Sequence, residues 1–250
     1  MNRSAILTLF LILLSSSALR AADVKVTFVT PSIVRVQWSP DGQLPGNATG
    51  VCIYSPHQVT VRQTRENGCR VLRSSVLKVS VDLKTTAITF TDRKTGRVLL
   101  EETQRRAEPV IQTRTVYDDR TAHAEQTANG QVTVKKAIRT DTIGHSTRFF
   151  SSFACPGTKA LYGLGSHMED YMNLLGKTLW LTQHNLKITI PVLLSPQGYG
   201  LLFDVGCAMK YTSSGHTFSM QMEAARQLDY YFIAGKRPDE GVGGYRYLTG

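Results

Sequence analysis

Leu77-Lys78-Val79-Ser80-Val81-Asp82 and, after the turn Leu83-Lys84-Thr85, Ala87-Ile88-Thr89-Phe90-Thr91 decide the fold class. Leu77, Val79 and Val81 alternate with Lys78, Ser80 and Asp82. Ile88 and Phe90 alternate with Ala87, Thr89 and Thr91, where Ala87 is the one residue of that face that is not polar. A period of two sends one face of an extended chain to a core and the other to water. Upstream, Val24, Val26 and Phe28, then Val34, Val36 and Trp38, repeat the pattern on either side of Pro31-Ser32. Downstream, Asp92-Arg93-Lys94-Thr95-Gly96 reads as a turn before Val98-Leu99-Leu100. Short strands at this spacing predict an all-β sandwich and argue against a βαβ fold.

Working outward, residues 103–130 are polar and read as a surface excursion with a weak strand inside it. Val132 to Ile138 and Arg148 to Phe153 resume the strand pattern. Leu186 to Leu194 and Tyr199 to Val205, joined by Ser195-Pro196-Gln197-Gly198, read as more deeply buried strands. Phe218 to Met222 and Leu228 to Ile233 complete the set. One helix is expected at the end. Pro238 suits a first helical position, and Asp239 and Glu240 suit the positive end of the dipole. Val242, Tyr245 and Leu248 would share its buried face, and Gly250 would cap it. Gly241, Gly243 and Gly244 each cost about 1 kcal/mol against Ala, so this helix must dock on something.

The chain has 250 residues, 42% hydrophobic and 19% charged, enough for a core without crosslinks. Its 29 Lys+Arg against 19 Asp+Glu leave a formal +10. The basic residues are scattered, in pairs at most, on what read as solvated strand faces, so nucleic acid is not an expected partner. Arg3, the apolar run Ala5 to Leu14 and the small residues Ser15-Ser16-Ser17-Ala18 make residues 1–22 a signal peptide, cut after Ala18 or Ala22. The expectation is an exported protein, periplasmic or extracellular, with no membrane span once the signal is removed. Cys52, Cys69, Cys155 and Cys207 show no CxxC spacing, which disfavours zinc. Export permits a Cys52–Cys69 bridge, and buried free thiols are the alternative. Asn47-Ala48-Thr49 is a sequon that counts only in a eukaryotic secretory pathway.

Four acidic pairs occur: Glu101-Glu102, Asp118-Asp119, Glu169-Asp170 and Asp239-Glu240. Neighbours on a strand point to opposite faces, so adjacency makes no catalytic pair, and all four read as solvated surface. The six histidines show no HExxH spacing, and no P-loop, GxSxG or GxGxxG fingerprint follows a strand. No metal and no cofactor is expected. Two clusters stand out: Tyr162-Gly163-Leu164-Gly165-Ser166-His167, and Thr178-Leu179-Trp180-Leu181-Thr182-Gln183-His184-Asn185. An aromatic ring beside amides and an imidazole suits a sugar, the ring covering an apolar face and the amides meeting hydroxyls. The competing reading is a structural turn with Trp180 in the core.

The order of segments carries a resemblance. Tyr162-Gly163-Leu164-Gly165 precedes Asn173, Gly176-Lys177, Gln183-His184-Asn185 and Ile190-Pro191. Gly198-Tyr199-Gly200-Leu201-Leu202-Phe203-Asp204 comes next, then Leu228 to Gly235 and Pro238-Asp239-Glu240 through Tyr245 to Gly250. Over residues 161–250 this resembles the N-terminal β-sandwich of glycoside hydrolase family 31, the retaining α-glucosidases and α-xylosidases. Residues 24–100 resemble it more loosely. The resemblance implies a galactose-mutarotase-like β-sandwich followed in the family by a (β/α)8 barrel that holds both catalytic aspartates. Neither aspartate's motif is in these 250 residues, so no catalytic residue is carried over, and the chain is expected to be a piece of an enzyme, inactive alone. In the family a sandwich loop reaches over the barrel mouth. The matching Gln183, His184 and Asn185 are the expected substrate-binding residues. The expected partners are an α-linked oligosaccharide, held weakly by this chain alone, and a catalytic barrel in cis or in trans. The rivals are a stand-alone carbohydrate-binding module, a mutarotase-like epimerase using His167 or His184 with Glu169, and an assembly protein.

Overall fold

A computed structural model describes residues 24–46, 49–55 and 57–250. The expected signal peptide, and Asn47 and Ala48 of the sequon, lie outside the described residues. In chain order the strands are β1 (Lys25–Phe28), β2 (Ile33–Trp38), β3 (Arg62–Glu66), β4 (Cys69–Arg73), β5 (Leu77–Asp82), β6 (Ile88–Asp92), β7 (Val98–Thr127) and β8 (Gly130–Ala154). They continue as β9 (Tyr162–Ser166), β10 (Thr178–Leu181), β11 (Ile188–Ser195), β12 (Tyr199–Phe203), β13 (Met209–Ser214), β14 (Thr217–Ala225) and β15 (Leu228–Ala234), and α1 (Pro238–Thr249) closes the chain. The antiparallel strands form a six-stranded sheet, β1-β2-β15-β12-β11-β9, and a nine-stranded one, β10-β13-β14-β8-β7-β6-β5-β4-β3. This is the expected all-β sandwich.

The core lies between the sheets. Leu77, Val79, Val81, Ile88 and Phe90 point into it, as the period of two requires. Phe90 stacks on Phe232 of the facing sheet at 4.1 Å, and Phe153 meets Tyr230 edge-on at 5.6 Å. Each such side chain contributes roughly 1.5–3 kcal/mol by leaving water. One polar contact crosses the same gap. The Tyr230 hydroxyl donates to Glu102 Oε2 at 2.7 Å, and Glu102 also accepts Arg105 Nε, Arg105 Nη2 and Ser151 Oγ. Glu102 is therefore not surface, contrary to the expectation for the acidic pairs. A register shift between Glu102 and Gln104 turns Arg105 to the same inner face, where it neutralises the carboxylate.

The central strands of the six-stranded sheet, β2, β15 and β12, are buried on both sides. Their outer face, with Ile33, Leu202, Tyr231 and Ile233, is covered by Leu248 of α1 and by Cys52 of the 51–54 segment. The Ile53 and Tyr54 N–H groups donate to the Leu248 carbonyl. The helix meets the sheet through Gly241, Gly244, Tyr245 and Leu248, while Val242 is exposed. A Cβ at Gly244 would strike Ile233, and one at Gly241 would strike Leu194. Two of the glycines that weaken the helix in isolation thus let it lie against the strands.

The largest departure from expectation is residues 103–130. Residues 103–127 belong to β7, 128–129 make the turn and Gly130 opens β8, and the two strands pair from Glu101↔Ala154 to Thr127↔Gly130. Both faces of this ribbon meet water over most of its length, so no hydrophobic alternation marks it. The strand expected from Leu186 begins at Ile188. Leu186 sits in a turn at φ 66°, and burial starts only at Val192. Of the two thiol alternatives, the structure has four free cysteines. Among the described residues, no helix is long and apolar enough to cross a membrane.

Candidate functional site

The β10–β11 connection carries Gln183, His184 and Asn185, all exposed. The turn closes on itself. Lys187 N–H donates to the His184 carbonyl at 3.0 Å, and the left-handed Leu186 lets the chain reverse. Gln183 Oε1 accepts the Thr189 N–H at 3.0 Å, bracing the turn across its base. That leaves the Gln183 amide protons as donors. His184 Nδ1–H donates to the Asn185 carbonyl at 2.9 Å, which makes Nε2 the ring's acceptor.

A cleft of about 690 Å³ opens beside this turn. Thr182, Gln183, Thr189, Asp204, Thr49 and Tyr245 supply its polar lining, and Leu181, Pro191, Val205 and Met209 supply apolar walls. Of the three expected residues only Gln183 lines it. His184 and Asn185 stand at the tip of the turn. Sequence reasoning missed Asp204, which is buried and accepts the Thr49 hydroxyl through Oδ1. The two lie 155 residues apart, and no spacing rule joins them. Trp180 is half exposed and shares a face of the β10–β13 pair with Lys210, whose Nζ lies 5.3 Å from the ring centre. The reading that put Trp180 in the core does not hold.

Beneath the cleft floor, Asp229 accepts Arg35 Nε at 2.9 Å, Arg35 Nη2 at 2.5 Å and Gln227 Nε2 at 2.7 Å. Burial pushes its carboxyl up to about 6 against the pull of Arg35. Burial also pushes the Cys52 thiol up to about 12, which removes it as a nucleophile.

The Tyr162–His167 cluster is structural, but a strand and not a turn: Tyr162–Ser166 is β9, the edge strand paired to β11. Gly163 and Gly165 adopt φ 108° and 103°, and a Cβ at either would run into a carbonyl oxygen of β11. His167 is buried, and its Nε2 donates to the Leu164 carbonyl at 2.6 Å. Glu169 is exposed. A further cleft of about 740 Å³ is lined by two acids, Asp92 and Glu240. Asp92 accepts the Thr95 N–H and hydroxyl, and Glu240 accepts the Lys236 N–H, so both carboxylates serve their own turns. Among the described residues, no group of three or more His, Cys, Asp or Glu could hold a metal ion.

The architecture is that of a mutarotase-like sandwich with open clefts of mixed polar and apolar lining. Comparison with known proteins defines it further. A family model described as the glycosyl hydrolase 31 N-terminal galactose mutarotase-like domain matches residues 23–211. The chain belongs to this family. An α-xylosidase of Saccharolobus solfataricus is 34% identical over 88 residues, 35% of this chain and 12% of that protein. The crystal structure of a GH31 α-xylosidase from Xanthomonas citri superposes with a TM-score of 0.71 at 15% identity, over 94% of this chain and 39% of that one. A GH31 α-xylosidase from a soil metagenome, complexed with xylose, gives 0.68 at 19% identity, over 91% and 32%. The chain thus spans well under two thirds of the length of these relatives.

Proposed function

We propose that this chain is the supporting sandwich of a retaining α-glycosidase acting on α-xylosides or α-glucosides, and that it does not cleave glycosides by itself. The family match over residues 23–211 carries the reading. Retaining cleavage needs two carboxyls about 5–5.5 Å apart across the scissile bond. Among the described residues, the acids lining the two clefts above have other partners: Asp92 and Glu240 brace turns, and Asp204 accepts the Thr49 hydroxyl. The two aspartates would come from a (β/α)8 barrel, in cis or in trans. The role left to the sandwich is to shape the sugar's surroundings. Gln183 is the residue best suited to it, since it lines the cleft, its oxygen is committed to the turn and its amide protons are left as donors to sugar hydroxyls.

The purified chain, incubated with aryl α-glucoside and aryl α-xyloside, should release no aryl alcohol. Turnover that falls in the Gln183→Ala/His184→Ala/Asn185→Ala variant would refute the proposal. Titration calorimetry with malto-oligosaccharides and xyloglucan fragments should show weak or no heat. Tight binding would favour a stand-alone carbohydrate-binding module. Residues 1–22 support export, and N-terminal sequencing of the secreted product should begin after Ala18 or Ala22.

A further inference from the structure

Beyond β9 the chain runs His167-Met168-Glu169-Asp170-Tyr171-Met172 without regular secondary structure. Five of these six residues, all but Asp170, line a cleft of about 330 Å³, about 9 Å across and at the small end of ligand sites. It shares no lining residue with the cleft beside Gln183.

His167 is the buried member, 7% exposed. The Leu164 carbonyl can only accept, so the ring proton is on Nε2 and the lone pair is on Nδ1. Among the described residues nothing pairs with Nδ1. A buried polar atom without a partner calls for an explanation. An imidazole that gives one N–H to a backbone carbonyl and keeps its other nitrogen for a ligand is the arrangement of metal-binding histidines.

The two methionines supply the rest. Met168 and Met172 are 69% and 82% exposed, whereas Met209, Met220 and Met222 are buried. Side chains this exposed are not fixed by packing, and three rotatable bonds let each thioether swing across a cleft of this width. The donor set is then one imidazole nitrogen, two thioether sulfurs and the Glu169 carboxylate, with no thiol and no second imidazole. Calcium and magnesium require several oxygen ligands, and structural zinc favours thiolates with imidazoles. Thioether with imidazole suits a soft ion, Cu(I) above all. The single charge of Glu169 matches the single charge of that ion.

We propose that His167, Met168 and Met172 form a binding site for Cu(I), with the Leu164 carbonyl holding the His167 ring in the tautomer that presents Nδ1. The site is independent of the glycosidase reading and needs no barrel.

Anaerobic titration of the full chain with Cu(I), against bicinchoninate as competing chelator, tests this. Cys69 and Cys207, the thiols that are not fully buried, are first replaced by Ser so that they do not compete. One Cu(I) per chain is expected, at a submicromolar Kd. Met168→Leu and Met172→Leu should each weaken binding at least about tenfold, while Met220→Leu, a volume-conserving swap in the core, should leave it unchanged. Circular dichroism confirms that the variants fold. In the wild type, whose cysteines are intact, carbon-13 spectra of the methionine methyl groups give a second readout. Cu(I) should move the signals of Met168 and Met172 and leave Met209, Met220 and Met222 in place, and the nitrogen-15 signal of His167 Nδ1 should move with them. Absence of binding overturns the proposal. So does binding that survives both leucine variants, or a wild-type spectrum in which Met168, Met172 and His167 stay still.

Discussion

Replacing Glu102 by Leu removes the one acceptor on which four buried donors converge. Arg105 gives it Nε at 2.9 Å and Nη2 at 2.8 Å, Ser151 its hydroxyl at 3.0 Å, and Tyr230 its hydroxyl at 2.7 Å. The Arg105 and Glu102 side chains are 5% and 0% exposed, so solvent cannot take over for the lost carboxylate. Leaving one partner of a buried pair costs about 3–5 kcal/mol. Arg105 keeps its contacts with the Thr86 hydroxyl and carbonyl, which places the expected loss near 3 kcal/mol. For a chain of this size, that is a fall in Tm of about 6–12 °C. Tyr230→Phe keeps the pair and removes one bond to a charged acceptor, for about 1.5–3 kcal/mol. The double variant Glu102→Leu/Arg105→Met removes both charges and should be more stable than Glu102→Leu alone. Urea unfolding at neutral pH, followed through Trp38 and Trp180 fluorescence, measures all three. A Glu102→Leu loss under about 1 kcal/mol, or a double variant no better than the single, would show that the carboxylate is not carrying a buried cation.

Three further outcomes follow from the packing and the titrating groups. Gly165→Ala drives a methyl group into the Ile188 carbonyl at a φ that L residues avoid, and should lower Tm or block folding, while Gly215→Ala, at φ +57° but with open space around it, should cost far less in the same thermal melt. Leu248→Ala empties a fully buried site between α1 and the six-stranded sheet, for about 2–5 kcal/mol by urea unfolding, and a loss below about 1 kcal/mol would mean that the helix is not held by this contact. Asp229 has its proton affinity raised by burial, from 3.8 to about 6. The folded state therefore binds that proton more tightly than the unfolded one. The group's stabilising share is complete below about pH 4 and is lost as pH rises through about 6, roughly 3 kcal/mol in all. Carbon-13 NMR of the carboxyl should show a midpoint near 6, and a midpoint below 4 would reverse the sign.

What could be read from the residues was whatever one face of a strand had to say about a core. β5 and β6 announce themselves because Leu77, Val79, Val81, Ile88 and Phe90 must leave water while their neighbours need not. The β7–β8 ribbon has no such constraint, and its only strand signal is a run of β-branched and aromatic residues such as Thr113, Thr115, Val116 and Tyr117. Glu102 was misjudged because an acidic pair does not reveal which member turns inward. Arg105, three residues on, was the available sign. On α1 the apolar Val242 drew the reading away from Gly241 and Gly244, whose missing side chains are what contact requires. The candidate site was half legible. Gln183 stands out in its polar turn, but Thr49 and Asp204 meet only once two loops far apart in the chain have been brought together.

β15 lies between β2 and β12 and hydrogen-bonds to both. The β1–β2 hairpin therefore has no seat in its sheet until residues 228–234 exist. On the ribosome, β1 and β2 must wait until Leu228–Ala234 has been made before they can be enclosed, with the apolar Val34 and Val36 still uncovered meanwhile. Synthesis of this domain calls for something to shelter its earliest strands, and a pause or a cut before Leu228 would release a sheet with an open middle.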